Sequence, residues 1–166
     1  MICAANAICH IPNLTDLIKG LDILLDKKGV FIFEEPYLGS MYEKTSYDQI
    51  YDEHIFMFSV SSVKKIFSRF GFELIDVAPQ ITHGGSMRYV VARKDEYKIK
   101  RIVYQKLKYE KKHNIDNIKG CLRFKKKCEK SKKLLNNKIK KILKSGKNIA
   151  GYAATSKSTT ILNYCG

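Results

Sequence analysis

A compact group of reactive side chains occurs in the middle of this 166-residue chain, at Tyr51, Asp52, Glu53 and His54. Histidine is the usual general base near neutral pH, and a neighbouring carboxylate can orient it or raise its basicity. A tyrosine hydroxyl can hydrogen-bond a carbonyl oxygen that becomes an enolate. The cluster therefore indicates a proton-abstraction site, and a solvated polar loop is the alternative interpretation.

Other histidines lie beside residues that are suited to ligand contact. His10 follows the first predicted strand and precedes Pro12, so it is either a site residue or a hydrogen-bonded turn residue. In the segment HGGSMR at 83–88, two glycines allow close backbone approach, and Arg88 is suited to hold an anion. The alternative for this segment is a hairpin turn with an exposed arginine. His113 lies in a basic helical region and has no evident partner.

A further candidate, GYAATSKSTT, begins at Gly151 near the C-terminus. Small residues, Lys157 and the free amides of a helix N-terminus are suited to a phosphate or diphosphate. The spacing is close to the nucleotide loop G-x-x-x-x-G-K-[ST], but Ser156 occupies the second glycine position and no Walker-B partner follows. The pattern favours simple phosphate binding over nucleoside triphosphate hydrolysis.

Alternating strands and helices must position these residues. The order strand, helix, strand, helix, strand, strand predicts an α/β sheet with parallel strands and a terminal antiparallel hairpin. The polar stretch 36–59 predicts a functional loop or lid. It leaves the carboxyl end of a strand, which is where ligands bind in open α/β sheets. The segment 1–9 is predicted to be a short buried strand that runs into a turn, and the other predicted strands are 30–34, 72–77 and 87–92. One predicted helix starts at about Asn13, and Ser61 or Ser62 is expected to cap a second.

The net charge of +15 is concentrated between residues 95 and 147, where 20 Lys or Arg residues face 5 Asp or Glu residues. Apolar residues recur at helical spacing through this segment, which predicts a long amphipathic helical connector broken near Gly120. Only Arg101 and Arg123 offer the bidentate fork that favours phosphates. Charge alone provides only non-specific attraction, so a polyanion-binding or nucleic-acid-binding surface is the less favoured interpretation.

The composition excludes several classes of protein. No run of 18 apolar residues occurs, which argues against a transmembrane helix, and no secretory signal is visible. The five cysteines form no C-x-x-C pair, so they predict neither a disulfide framework nor a zinc site, and a cytoplasmic location is the default. A strand at 148–152 begins a second α/β unit, and both ends of the chain are therefore expected to be cut. The cysteines are Cys3, Cys9, Cys121, Cys128 and Cys165.

Five blocks of the sequence, taken in order, resemble those of the nucleotide-sugar C-methyltransferases: ANAICHIPNL, GVFIFEEPYL, YDQIYDEHIFMFS, HGGSMRYVVARK and GYAATSKSTTILNYCG. These enzymes use S-adenosylmethionine to methylate a carbon of a 4-keto-deoxysugar nucleotide. The resemblance implies that 1–94 is the second half of a class I (Rossmann-like) methyltransferase domain. It further implies that 95–147 is a lysine-rich connector and that 148–166 begins a Rossmann-like domain that binds the sugar nucleotide.

The same resemblance implies roles for individual residues. His54 would remove the proton α to the 4-keto group, Glu53 would orient or support it, and Tyr51 would stabilise the developing enolate. His10 matches a family histidine near the sugar and would donate to the keto oxygen. The carbanion-like carbon would then attack the sulfonium methyl in line. Weaker candidates are His83, Ser86 and Arg88 for substrate contact, and Gly151, Ser156 and Lys157 for the diphosphate.

The implied cofactor is S-adenosylmethionine and the implied partner is a nucleotide sugar, without membrane or nucleic acid. The family's zinc-binding segment, glycine-rich cofactor loop and acidic ribose-binding residue match no part of this sequence, and no metal is expected in it. The sequence therefore predicts a fragment that is inactive alone. The alternatives are a non-catalytic remnant and a polyanion-binding protein that uses the basic segment.

Overall fold

The computed structural model describes residues 1–152 and 154–166, and in it four strands form one mixed sheet. The order across the sheet is β1–β2–β4–β3, with β1 parallel to β2 and with β4 antiparallel to both of its neighbours. This arrangement confirms the predicted α/β class and the antiparallel terminal hairpin. Because β4 inserts between β2 and β3, β3 lies at an edge of the sheet. The strands are β1 (Ile2–Ala5), β2 (Val30–Pro36), β3 (Phe72–Gln80) and β4 (Ser86–Arg93).

Helices pack against one face of this sheet and bury a single large apolar cluster. Phe31, Phe33 and Tyr89 from the strands meet Ile18 and Phe67 from the helices, and all five are buried. Burial of these large side chains is the main contribution to the stability of the fold. The helices are α1 (Leu14–Leu24), α2 (Leu38–Lys44), α3 (Val60–Ser68), α4 (Arg101–His113), α5 (Ile118–Lys144) and α6 (Ser156–Cys165).

Short polar side chains cap the N-termini of α1 and α3, the two helices that the sequence predicted between the strands. Asn13 accepts a hydrogen bond from the Asp16 amide at the start of α1. Helix α3 begins with a capping box in which Ser59 and Ser62 each accept the other's backbone N–H. The prediction that Ser61 or Ser62 is the cap was therefore wrong by a few residues, because Ser62 acts as the third residue of the box.

The stretch 36–59 contains more regular structure than the predicted loop. It forms α2 and a 3₁₀ turn at Tyr47–Gln49. Met41 and Tyr47 are buried there against Phe124 and Cys128 of α5. Part of this stretch therefore packs against a distant helix, which the local sequence did not indicate.

The basic segment is helical, as expected, but it breaks before Gly120. Asn114 adopts a left-handed conformation with φ 56° and ends α4, and the Asn117 side chain accepts from the Lys119 and Gly120 amides at the start of α5. Asparagine tolerates positive φ and caps helices well, so the break falls at the asparagines. Gly120 lies within the first turn of α5.

Residues 148–152 form no strand, so the prediction of a strand there was wrong. No strand of the described chain lies beside them, and an extended segment without a partner leaves its backbone groups unpaired within the fold. Helix α6 follows, capped by Thr155, and packs against the turn Tyr47–Gln49 and against α5. None of the helices in the described chain is both long and apolar enough to cross a membrane.

Candidate active site

The carboxyl ends of β1 and β2 bring His10 and His54 together. A 3₁₀ turn at Ile8–His10 follows β1, and the polar stretch after β2 returns across it, where the Phe56 amide donates to the Cys9 carbonyl at 3.2 Å. The two imidazole rings lie with their centroids 5.1 Å apart. Residues that are 44 positions apart in the chain therefore share one site.

Hydrogen bonds assign the tautomer of His54. Its Nδ1 lies 2.8 Å from the Gln49 carbonyl oxygen, which can only accept, so Nδ1 carries the proton. The neutral ring then has its lone pair on Nε2, and the Tyr51 hydroxyl, 2.8 Å away, donates to it. Burial, followed by the nearby Glu53 carboxylate, raises the pKa of Tyr51, so this hydroxyl keeps its proton.

The surroundings of His54 also favour its neutral form. Burial is the largest influence and lowers the pKa of His54, and the positive charges of His10 and Lys157 lower it further. The hydrogen bond to the Gln49 carbonyl and the charge of Glu35 act in the opposite direction. His54 is therefore an uncharged imidazole at neutral pH with an accepting Nε2, as a general base must be.

The second histidine is oriented by the same kind of contact. His10 Nδ1 lies 2.6 Å from the backbone carbonyl of Glu53, so this nitrogen also donates. The Nε2 of a neutral His10 is consequently an acceptor. His10 can donate to a keto oxygen from Nε2 only as an imidazolium, a condition that its residue type alone does not reveal.

Glu53 contributes its backbone carbonyl oxygen to the histidine site, as the acceptor for His10 Nδ1. Its side chain is exposed, and within the described residues no hydrogen bond joins its carboxylate to His54. The orienting contact comes from the Gln49 carbonyl instead. Sequence reasoning missed Gln49 because a backbone carbonyl carries no signal in the residue type.

Glu35 is the other residue that the sequence analysis did not select. Its side chain is fully buried at the end of β2, and one oxygen accepts from the Ala7 and Ile8 amides at 2.9 and 2.6 Å. Burial, followed by the neighbouring Glu35, raises the pKa of the Cys9 thiol to about 12. The sequence signal that could have identified Glu35 is an acidic residue near the end of an otherwise apolar strand.

Arg88 does not reach the histidines. It lies opposite Glu34 in the β2–β4 pair and forms an ion pair with it at 2.9 Å. A hydrogen bond from the Thr82 hydroxyl is the larger cause that lowers the pKa of Glu34, and Arg88 adds to it. Because Glu34 and Glu35 are consecutive strand residues, Arg88 lies on the face of the sheet opposite to Glu35.

The rest of the 83–88 segment has structural contacts. The His83 carbonyl accepts from the Gln49 side-chain amide at 2.7 Å, and the buried Ser86 hydroxyl donates to the Thr82 carbonyl at 3.2 Å. The segment therefore links the hairpin turn to the stretch that carries His54. Its assignment to substrate contact stays a prediction.

The N-terminal end of α6 lies near the site. A cleft of about 580 Å³ runs between Tyr51 and Asp52 on one side and Ser156 on the other. The charge of Lys157 is close enough to affect His54, and the Thr160 hydroxyl donates to the Ile50 carbonyl at 3.3 Å. Gly151 is exposed, and Ala153 of the proposed phosphate loop lies outside the described residues.

One cluster near the histidines contains metal-ligating atom types. The donor atoms of Cys9, His10 and His54 all lie within 4.8 Å of one another. An ion there would have to ionise a thiol whose pKa is about 12 and displace the Tyr51 hydroxyl from His54. The absence of a metal from this chain stays a prediction.

The residues that follow β1 and β2 lie where a nucleoside cofactor such as S-adenosylmethionine would approach the sheet. The residues after β1 are Asn6 and Ala7, and those after β2 are Tyr37 and Leu38. Neither strand is followed by a glycine-rich turn that would let the backbone approach a nucleoside closely. The described residues therefore do not by themselves fit the cofactor.

Two methyltransferase family models match this sequence. Residues 1–77 match the family model of a methyltransferase domain, and residues 81–166 match that of the C-methyltransferase C-terminal domain. The chain is 26% identical over 167 aligned residues to the C-methyltransferase NovU of Streptomyces niveus. That match covers 100% of the chain and 40% of NovU, so the chain spans less than half the length of this relative. The C-methyltransferase C-terminal domain model covers more than half of the residues of the chain. The chain therefore belongs to the C-methyltransferase family.

Proposed function

We propose that this chain carries the proton-abstracting part of an S-adenosylmethionine-dependent enzyme that methylates a carbon of a 4-keto-deoxysugar nucleotide. The observation that supports this most directly is the neutral His54, whose Nε2 lone pair is held beside Tyr51 and His10. Members of the C-methyltransferase family transfer a methyl group to carbon, and a carbon acid must lose a proton before it can attack.

The proposed step uses only groups of this chain. His54 Nε2 takes the proton from the carbon next to the keto group. The electron pair of the broken C–H bond forms the C=C bond of an enolate, and the carbonyl π pair moves onto the keto oxygen. The Tyr51 hydroxyl occupies the Nε2 lone pair in this structure, so it must turn away when substrate binds, and it can then donate to the enolate oxygen. An imidazolium form of His10 would donate from Nε2 to the same oxygen. The methyl donor supplies an activated methyl group when bound.

We further propose that the cleft beside α6 holds the nucleotide part of the substrate. Lys157 and the helix N-terminus at Ser156 are suited to a diphosphate, and they lie on the same side of the molecule as Tyr51. In this arrangement 1–94 performs the chemistry, 95–147 connects, and 148–166 contacts the nucleotide.

A polyanion-binding function receives less support from the contacts. Val103 and Glu110 of α4 are fully buried against the domain, so the first helix of the basic segment is part of the core. Most lysines of α5 are exposed. A solvated lysine face of a packed helix explains this pattern without a nucleic acid partner.

Exchange of substrate hydrogen for deuterium would test the proposed step without a methyl donor. We expect this chain, in D₂O, to speed deuterium incorporation at a carbon adjacent to the keto group of thymidine diphosphate 4-keto-6-deoxyglucose, as measured by mass spectrometry. His54→Gln removes the accepting nitrogen and should lower the catalysed rate by about 10²-fold or more.

His113→Gln is the matched control, because His113 lies on α4 and its Nδ1 also donates to a backbone carbonyl, that of Tyr109. We expect it to leave the rate unchanged. Exchange at the rate of buffer alone would favour the remnant hypothesis. A rate that survives His54→Gln would show that the base is another residue.

A further inference from the structure

Glu35 is a fully buried carboxylate that is only partly satisfied. One oxygen accepts the Ala7 and Ile8 amides, whereas Oε2 has no hydrogen-bond partner in the described part of the chain. Burying a charge with an unsatisfied oxygen costs free energy, and such groups are uncommon in folded proteins. The position of Glu35 therefore requires an explanation beyond packing.

The surroundings of Glu35 connect it to both histidines. The turn that it holds through Ala7 and Ile8 continues directly into His10, the last residue of that turn. On its other side Glu35 lies beside the Cys9 thiol, and the Cys9 sulfur lies within 4.8 Å of a ring nitrogen of His10 and of His54. The charge of Glu35 acts on His54 across this short separation. The adjacent Glu34 has different partners, because it lies on the opposite face of the strand and pairs with Arg88.

We propose that Glu35 is a positioning residue for the histidine pair: its hydrogen bonds hold the turn that presents His10, and its charge stabilises the imidazolium that His54 becomes on accepting a proton. This inference rests on the proposed role of His54 as the base. It identifies Glu35 as the carboxylate that supports this base, the role that the sequence analysis predicted for Glu53.

The other groups around His54 cannot replace this charge. His10 and Lys157 act against its protonation, the Tyr51 hydroxyl is uncharged, and the Cys9 thiol is protonated at neutral pH because its pKa is about 12. The Glu53 side chain is exposed, where water screens its charge. A buried carboxylate is screened much less, so its effect on a nearby imidazolium is larger.

The variant Glu35→Gln separates charge from shape. The amide oxygen can still accept the Ala7 and Ile8 amides, but the negative charge is lost. We expect the pKa of His54, followed by its imidazole NMR signals in this chain, to fall by about 0.5 unit or more. Glu34→Gln is the matched control, since it removes the neighbouring charge on the other face, and it should leave the pKa of His54 unchanged.

A folded Glu35→Gln variant with an unchanged pKa of His54 would overturn the proposal, and so would an equal change in Glu34→Gln. If Glu35→Gln does not fold, ¹³C labelling of the Glu35 carboxyl group in the unmutated chain gives the same information. Its chemical shift should show a step at the pH where His54 titrates, and His54→Gln should abolish this step. A titration without that step would contradict the coupling.

These measurements do not depend on turnover. Loss of deuterium exchange in the unmutated chain, with the coupling intact, would refute the proposed function and leave the electrostatic link between Glu35 and His54 in place. Intact exchange without the coupling would refute only the role of Glu35.

Discussion

At the scale of single residues, the histidine pair is organised by backbone carbonyls. Gln49 and Glu53 each accept from an Nδ1, and this leaves both Nε2 atoms as the reactive positions. The protonation state of each ring therefore decides its role, since a neutral ring accepts at Nε2 and a charged ring donates. His54 meets the requirement for a base because burial lowers its pKa.

The pH dependence of deuterium exchange tests this assignment. His54 must be neutral to accept a proton, so we expect the rate to fall as the pH drops through the pKa of His54. Because burial lowers that pKa, the midpoint of the fall should lie below the ordinary histidine value of 6.5. A midpoint at or above 6.5 would contradict the assignment of the base.

The lowered pKa of His54 also makes the free energy of unfolding depend on pH, because the folded and unfolded chains bind this proton at different pH values. The unfolded chain takes up the proton at the ordinary pKa, before the folded chain does. Protonation therefore favours unfolding as the pH falls below 6.5, and this effect stops growing below the lowered pKa of the folded state. His54 is half-buried, so the effect on stability is modest.

At the scale of elements, two helical glycines have opposite surroundings. A Cβ added at Gly20 in α1 would meet nothing within 4 Å, whereas one added at Gly120 in α5 would lie 2.8 Å from the Asn114 carbonyl carbon and closer still to its oxygen. The close approach of the α4–α5 break to the first turn of α5 therefore requires glycine at position 120. The sequence located the break near Gly120, and the close contact with the Asn114 carbonyl explains why glycine occupies this position.

These surroundings predict opposite effects of alanine. Gly20→Ala should raise the free energy of unfolding by about 0.5 to 1 kcal/mol, because alanine has the higher helix propensity. Gly120→Ala should lower it by about 1 to 3 kcal/mol, because the backbone of Asn114 must move. Urea unfolding of both variants measures the difference, and a neutral or stabilising Gly120→Ala would contradict the described packing.

At the scale of the whole molecule, Glu110 joins the basic segment to the strand β2 side of the sheet domain and to α3. This fully buried carboxylate on α4 accepts from the Tyr37 hydroxyl, from the Val60 and Ser61 amides and from the Ser61 hydroxyl, at 2.5 to 2.9 Å. It therefore satisfies the N-terminus of α3 from a different helix. Burial and the adjacent Glu110 raise the pKa of Tyr37 far above its usual range, so its hydroxyl remains a donor.

Removing this carboxylate should destabilise the whole domain. Glu110→Ala leaves several buried donors without an acceptor, and we expect the free energy of unfolding to fall by about 3 kcal/mol or more. Glu129→Ala is the matched control, because that exposed glutamate on α5 faces only Lys125 at 3.9 Å and should change stability by less than about 0.5 kcal/mol. Equal urea midpoints for the two variants would show that α4 is not part of the folding unit.

The sequence by itself determined the features that depend on local pattern. Alternation of apolar runs and polar caps predicted the four strands of the sheet, α1, α3 and the basic helices, because hydrophobic spacing and capping are properties of neighbouring residues. The order of the motifs predicted the C-methyltransferase family. The sequence identified Tyr51–His54 as a candidate site because several reactive residue types lie close together in the chain.

Only the tertiary structure decided the features that depend on distant partners. It placed β4 between β2 and β3 and left residues 148–152 without a strand to join. It brought the rings of His10 and His54 together and paired Arg88 with Glu34. It also buried Glu35 and Glu110, which the sequence does not distinguish from exposed glutamates. The physical reason is that burial, strand pairing and backbone hydrogen bonds join atoms far apart in the chain, and a backbone carbonyl is the same in every residue type.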